Sequence, residues 1–487
     1  MSKSIVLVQP MHGSWDKIFL RLPESMLAVA ALPHKEGYDV KILDQRVVRD
    51  WKGRLRELLK ERPICCGLTS LTGPSLKYAL EAAALIKEID ESIPIVFGGV
   101  HMTLLPEQTM QHPHFDIGLI GEGDYRFLDV VKALEMGKPF DGIKGLYYRL
   151  KGELVFTGAP DAIHDLDALP DTPYELVDMG AYSAIELGPK RSVSFPTSRG
   201  CPFACSFCAN KALTKSRWRG LSTAKIIAKI KMFQERYGYR AFYFLDDCTS
   251  YRIGHFRELI TALAGLEKKI LWSTAGIRAD LLCQLTDQDL AALWESGCRT
   301  LEIGIESGNE RVLEFIQKRE TKETMRTANR MLAKYPITVK YTFIVGYPTE
   351  TEAERNDSID FSLKLGEENA HSYSLFFVYL PIMGTPMFDV ALQHGFVKPR
   401  SIEEWTEMDY RSLWAFAHPN WIGHRERKRL ETIMLASLFC NRNAKVKLTT
   451  PFSKLTFMLY HPVAKLRFKH KFFSFPLEAH LASKLFG

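Results

Sequence analysis

No apolar run in this 487-residue chain approaches the roughly 18 residues needed to cross a bilayer. The opening Met-Ser-Lys-Ser-Ile-Val-Leu-Val lacks the apolar core and small-residue cleavage site of a secretory leader. Cysteine is scarce: nine residues are too thinly spread for a secreted disulfide scaffold. Six of them, Cys65, Cys66, Cys248, Cys283, Cys298 and Cys440, stand in apolar or mixed stretches and read as small buried residues. Acidic residues are nearly missing from the end of the chain. From Trp421 to Gly487 there are 13 Lys and Arg against Glu426, Glu431 and Glu478, so this segment carries more than the whole net charge of +7. Elsewhere the composition, 46% hydrophobic and 25% charged, is that of an ordinary globular protein long enough for two to four domains.

The remaining three cysteines stand together. Residues 197 to 208 read Thr-Ser-Arg-Gly-Cys-Pro-Phe-Ala-Cys-Ser-Phe-Cys, which places Cys201, Cys205 and Cys208 in a C-x3-C-x2-C loop with no fourth cysteine at a ligand-like interval. Thiolates select iron–sulfur clusters or zinc. A structural zinc site takes four ligands, and the loop offers three, so a zinc knuckle is the weaker reading. A four-iron cluster held by three cysteines keeps one iron open, and a small molecule could be bound and reduced there.

The spacing resembles that of the radical S-adenosylmethionine (SAM) superfamily. The resemblance implies that Cys201, Cys205 and Cys208 hold a [4Fe–4S] cluster whose open iron binds the amino and carboxylate groups of SAM. It adds Phe207, inside the loop, to the cofactor-binding residues. One electron, from a donor such as flavodoxin or ferredoxin, would break a carbon–sulfur bond of SAM and release a 5′-deoxyadenosyl radical. An exposed low-potential cluster calls for a reducing compartment, so a cytoplasmic location is expected.

The first 135 residues alternate strand-like and helix-like runs. Strands are expected at 5–9, 39–43, 64–69, 95–98 and 117–121, with amphipathic stretches such as 77–90 between them. Five short apolar strands alternating with helices predict a parallel, doubly wound, Rossmann-like α/β sheet. Ligands of such sheets sit at the carboxyl ends of the strands. Those ends carry Gln9-Pro10, Thr69-Ser70, Gly98-Gly99-Val100-His101 and Gly121-Glu122-Gly123. Taken together, these runs resemble the cobalamin-binding domain found fused to radical SAM cores, over residues 1 to 140. The resemblance implies cobalamin contacts from Thr69, Ser70, Gly98, Gly99, His101, Gly121 and Glu122. One departure is plain. The Asp-x-His-x-x-Gly pattern that supplies a cobalt-ligating histidine is missing, since no aspartate stands two residues before His12. His101 is therefore expected to pack near the corrin and not to ligate cobalt.

Residues 141 to 190 are rich in proline and turn residues and read as a linker. Alternation resumes from 191 to 400, with strands expected at 193–196, 241–245, 270–274, 300–305, 339–345 and 374–379 and helices such as 224–237 and 287–296. Six strand–helix units predict a partial (β/α)6 barrel with chemistry at the carboxyl ends of its strands. Those ends carry further candidates. Asp246 and Asp247 suit ribose hydroxyls or an ammonium group, or a helix N-cap. Arg278, near Ser273, suits a carboxylate or an exposed salt bridge. Gly304-Ile305-Glu306-Ser307-Gly308 and the turn after Gly346 resemble the family's SAM-site runs, and they add Glu306, Ser307 and Gly346 to the expected cofactor contacts. Pro381 to Pro386 closes the last strand much as in the cobalamin-dependent branch.

Residues 401 to 487 mix Lys and Arg with aromatics, among them Trp405, Trp414, Phe416 and Trp421 and a dense set between Phe452 and Phe475. A mainly helical cap with a solvated basic face is one reading. Contact with an anionic membrane surface through 421–487 is another. The phenylalanines favour lipid over phosphate, which leaves nucleic acid behind both. The family resemblance implies methylation of an unactivated carbon of a hydrophobic substrate, such as a hopanoid or other isoprenoid lipid or a natural product. Radical cyclisation or oxidation of a tetrapyrrole-like substrate is the alternative, and a non-catalytic cobalamin or iron–sulfur sensor is the alternative of another class.

Overall fold

The computed structural model describes residues 3–13, 16, 20–182, 192–408, 422–440 and 451–475, apart from the side chains of 451–454 and 456. The chain divides into two compact units. One comprises Met1–Ser183 with Lys398–His418, the other Ala184–Val397 with Pro419–Gly487.

The first unit is built on strands β1 (Ser4–Gln9), β2 (Asp39–Asp44), β3 (Cys66–Thr69), β4 (Ile95–Gly98), β5 (Ile117–Leu119), β6 (Leu146–Leu150) and β7 (Glu153–Phe156), in the sheet order β2-β1-β3-β4-β5-β6-β7. The first five run parallel. Strand order therefore reverses between β1 and β3, and the carboxyl ends of those strands form the crevice where doubly wound sheets take ligands. The helix Pro74–Ile89 starts with proline in its first turn, where no amide donor is needed, and buries Leu76, Ala79, Ala82 and Ile86. Ile5, Leu7, Val96, Ile117 and Val130 share the core.

Strands β6 and β7 correct the expectation of an irregular linker starting at 141. They pair antiparallel with β5 and with each other. Lys151 (φ +52°) and Gly152 (φ +88°) turn the chain between them, and two left-handed residues in a row are what a tight two-residue hairpin demands. A second difference concerns the chain after residue 400. Lys398–His418 groups with the first unit, where Trp405 is fully buried and its indole Nε1 donates to Gln108 Oε1 at 2.7 Å. Trp405 is thus a core residue of the first unit and not part of an aromatic cap. Trp414, Phe416 and Trp421 lie outside the described residues.

In the second unit β8 (Ser192–Phe195), β11 (Ala241–Phe244), β12 (Leu271–Ile277), β13 (Cys298–Glu306), β14 (Thr338–Val345) and β15 (Ser372–Val378) form one parallel sheet in sequential order. Two short strands, β9 (Ser198–Arg199) and β10 (Arg219–Gly220), pair antiparallel beside it. Helices including Thr223–Tyr237, Ile253–Ala264, Asp287–Glu295, Lys322–Leu332 and Glu352–Glu368 connect the large strands. This is the connectivity of six strand–helix units of a partial barrel. Its aromatic core includes Phe195, Phe242, Phe244 and Trp272, the last two stacked at 5.2 Å. The helix His424–Phe439 packs on β15, where the Phe376 amide donates to Ser437 Oγ at 3.1 Å. A further helix covers Pro451–His470. Among the described residues, no helix is long and apolar enough to cross a membrane.

Candidate functional site

The β9–β10 ladder brackets the cysteine loop, since its strands are residues 198–199 and 219–220. Gly200, between β9 and Cys201, has φ +85°, and a Cβ there would run into the carbonyl oxygen of Arg217, so only glycine delivers the chain into the loop. Asp246, at the end of β11, faces the same approach. It is buried and accepts from the Thr197 amide at 2.7 Å, the Ser198 amide at 2.8 Å and the Thr197 hydroxyl. Burial lifts its carboxyl to about 6. Asp247 is exposed and accepts from the Gly200 amide at 3.0 Å. Both members of the acidic pair therefore bind the segment that leads into Cys201, and neither caps a helix.

Beyond Cys201 the loop is clamped from two sides. The Ser206 amide donates to Ile316 O, the Met387 amide donates to Ser206 O (both 2.9 Å), and the Cys208 amide donates to Cys205 O at 3.1 Å. Met387 follows the Pro381–Pro386 run, which gives that run a concrete job. All three cysteines are half-buried free thiols. Burial pushes Cys205 up and Cys208 up to about 12, whereas a hydrogen bond from Cys248 brings Cys201 down to about 7. Cys248, read from sequence as a small buried residue, is buried, but it packs with Trp218, Leu281, Cys201 and Phe203. No sequence pattern ties it to the trio, because it stands 40 positions beyond Cys208.

A buried charge cluster stands near Cys205. Lys318 Nζ lies 3.6 Å from Glu306 Oε1 and 3.2 Å from Glu320 Oε2. Arg278 makes a paired contact with Asp280 at 3.0 Å, reaches Glu320 at 3.5 Å and lies 3.7 Å over the ring of Phe203. Arg278 is thus a buried brace whose fork is already engaged, neither an exposed salt bridge nor an open carboxylate receptor. Glu306 is a non-glycine residue at φ +69°, a conformation that costs on the order of 1 kcal/mol and needs support from its surroundings. Burial raises its carboxyl above the ordinary range, with Lys318 opposing. Lys318 and Glu320 were not visible as site residues in the sequence.

The other candidates divide. Ser273 is buried at β12 and its hydroxyl has no hydrogen-bond partner. Ser307 is buried in a turn, with its hydroxyl 3.1 Å from Ser358 Oγ. Gly346 (φ +81°) donates its amide to Glu350 at 2.5 Å, and burial lifts Glu350 to about 7. Phe207 is half-buried with its ring 6.1 Å from that of Tyr347, whose buried hydroxyl has no partner either. The three thiols stand on one loop and the unpartnered Tyr347 hydroxyl lies near Cys205, which fits a cluster with an outside polar ligand; among the described residues no three His, Cys, Asp or Glu side chains are grouped to hold a single metal ion.

In the first unit the strand ends meet closely. Gly99 has φ +92°, and a Cβ there would strike Thr69 Oγ1 and come within 2.9 Å of Ser70 O. The amide of His101 donates to Ser70 O at 3.2 Å. Thr103 Oγ1 donates to Gly99 O at 2.8 Å and accepts from the Gly121 amide at 2.9 Å. This hydroxyl joins the Gly98-Gly99 run to the Gly121-Glu122 run, and Arg126 extends the tie by donating to Glu122 O. His101 is fully buried, with Nδ1 3.0 Å from Thr72 Oγ1 and its ring 6.2 Å from Trp405. Its Nε2 has no partner, and burial alone drives its pKa down to about 4. A glycine cradle with one orphaned ring nitrogen fits a large neutral cofactor carrying amides. Among the described residues the His101 ring pairs with the Thr72 hydroxyl and not with an aspartate.

Comparison with known proteins follows the same division. Residues 23–131 match the B12 binding domain and residues 195–362 the radical SAM superfamily. An uncharacterised methyltransferase of Pyrococcus horikoshii is 31% identical over 396 residues, covering 80% of this chain and 82% of that one. An anaerobic magnesium-protoporphyrin IX monomethyl ester cyclase of Cereibacter sphaeroides is 26% identical over 396 residues, covering 79% of this chain and 63% of that one. The cobalamin-dependent S-adenosylmethionine radical enzyme OxsB, solved with aqua-cobalamin and S-adenosylmethionine, aligns with a TM-score of 0.73 and 18% identity over 96% of this chain and 72% of that one. At that identity the likeness is one of fold.

Proposed function

We propose that this chain, which belongs to the B12-binding radical SAM enzymes, transfers a methyl group from SAM to an unactivated carbon of a hydrophobic substrate. The observation that carries methylation over other radical chemistry is the 31% identity to a methyltransferase across 80% of the chain. The family's cofactors are a [4Fe–4S] cluster, SAM and cobalamin; between them they supply a reducing electron, a radical source and a methyl carrier. The chain's own part is to hold and shield. Cys201, Cys205 and Cys208 would take three irons. Asp246 and Asp247 fix the loop before Cys201, and the Lys318–Glu306–Glu320 cluster sets the field near Cys205. Gly99, Thr69 and Ser70 keep the strand ends close enough to receive a large cofactor. A flavodoxin or ferredoxin would deliver the electron, in the reducing setting of a cytoplasm.

A second reading has one specific observation behind it. The likeness to the magnesium-protoporphyrin cyclase favours ring formation or oxidation of a tetrapyrrole-like substrate. Anaerobic incubation of the reconstituted enzyme with methyl-labelled SAM, a reductant and a lipid extract separates the two. Methylation predicts label in an organic-soluble product. Accumulation of 5′-deoxyadenosine with label recovered only in SAM and methionine would reject methylation and leave cyclisation or oxidation.

A further inference from the structure

The helix Pro451–His470 has two apolar faces, and among the described residues only one of them is covered. On the inner face Phe457, Ala464 and Phe468 are buried. The Phe457 ring stacks 5.9 Å from Phe439, and the Phe468 ring meets Phe376 of β15 at 5.6 Å. The outer face carries Leu455, Met458, Leu459, Val463 and Leu466, all exposed, with Leu459 at 70%. They recur every three to four residues, the period of one helical face. The stripe continues past the helix in Phe472 and Phe475, at 52% and 63% exposure.

That continuation is built into the fold. Arg467 is buried, and its guanidinium donates to Phe472 O at 2.9 Å, to Phe475 O and to the Tyr460 hydroxyl at 3.1 Å. Lys471 anchors the same turn to Asp360 at 2.7 Å. A buried arginine and an ion pair thus hold two phenylalanines out in water. Single exposed apolar residues need no explanation, but a contiguous stripe of this size marks a contact surface.

The charge around the stripe selects the occupant. Lys465 and Lys469 are exposed on the same helix, and the segment from Trp421 has 13 basic residues against three acidic ones. A second copy of the chain would set these cations against one another. A spanning helix is ruled out, because Pro462, Lys465, Arg467 and Lys469 interrupt the run and the hydropathy falls short. We infer that the outer face of Pro451–His470, with Phe472 and Phe475, docks on an anionic lipid bilayer. The helix lies in the plane of the interface, its apolar stripe enters the acyl boundary, and Lys465 and Lys469 meet the headgroups. The surface does this whichever reaction the enzyme performs.

Flotation of the full-length, cofactor-loaded protein tests it, with vesicles containing phosphatidylglycerol against phosphatidylcholine alone. The parent protein floats with the anionic vesicles, and added salt weakens the association. Leu459→Glu/Leu466→Glu abolishes flotation, while SAM cleavage and thermal unfolding stay at the parent level. Lys465→Gln/Lys469→Gln weakens binding to anionic vesicles about thirtyfold, or about 1 kcal/mol for each lysine. The inference is overturned if the parent protein does not float or if the glutamate variant floats equally. It is also overturned if light scattering shows a dimer that Leu459→Glu/Leu466→Glu separates, or if flotation arises only after removal of 476–487.

Discussion

Near Cys205 the second unit buries Lys318, Glu306, Glu320 and Arg278 within ion-pair reach of one another. Around Gly99 the first unit sets backbone amides, the hydroxyls of Thr69 and Thr103, and a neutral His101. One site is organised by charge and the other by close approach of backbone. The difference matches what each is proposed to hold. A cluster ligated by thiolates brings negative charge into a half-buried loop, and nearby cations offset it. A bulky cofactor rich in amides needs room and hydrogen-bonding partners more than field. The two sites should therefore fail differently, the first when a charge or ligand is removed and the second when an atom is added.

The largest effect is expected from the three cysteines proposed to hold the cluster. Cys201→Ala, Cys205→Ala or Cys208→Ala should each remove the cluster's visible absorbance and stop 5′-deoxyadenosine formation, with cobalamin binding largely intact. Turnover surviving in any of the three would refute the assignment. Next comes Lys318→Met, which leaves Glu306 buried without its cation and Glu320 with Arg278 alone. Loss of about 3–5 kcal/mol in chemical denaturation is expected, and Lys318→Met/Glu320→Gln should recover part of it. A loss below 1 kcal/mol would mean the cluster of charges is solvated.

The first unit should show its own signature in pH. His101 is held near 4 in the fold against 6.5 when free. Between these values the unfolded chain takes up a proton that the native state refuses. Stability is therefore full above about 6.5 and is lost as pH falls towards 4, by about 3 kcal/mol from this residue. His101→Gln should flatten the denaturation midpoint across that window; an unchanged slope would show that His101 is not the buried base. The smallest expected effect is that of Asp246→Asn. It weakens a carboxylate that accepts three hydrogen bonds, for about 1–2 kcal/mol and a more labile cluster on exposure to oxygen.

Much of this was legible in the sequence, for identifiable reasons. Strands β1, β3, β5, β8 and β11 are buried throughout and read as short apolar runs, while β14 alternates buried and half-buried residues and reads by its period of two. The cysteine trio is local, and local spacing survives without a structure. The hairpin at 146–156 escaped because its signal is a lysine–glycine turn between strands too short to stand out. Trp405 was grouped with the C-terminal aromatics because sequence proximity hides a contact made 297 positions away, at Gln108. Lys318 and Glu320 look like solvated residues in a helix–loop segment, and only the folded chain shows that they pair with Glu306 and Arg278. Arg278 was legible as important and illegible in role, since its partners Asp280, in the short helix Ala279–Leu282, and Glu320 are brought to it only by the fold. The outer stripe of Pro451–His470 could not be told from its inner one until one face was seen to be covered.

The sharpest test of two separately organised sites is to measure iron and cobalt per chain in two variants loaded with both cofactors. Gly99→Ala places a Cβ against Thr69 and Ser70, so cobalt should fall towards zero while about four irons per chain remain. The triple substitution Cys201→Ala/Cys205→Ala/Cys208→Ala should give the reverse, with no iron and cobalt near the parent level. Loss of both metals together in either variant, with the circular dichroism of the folded protein unchanged, would contradict it.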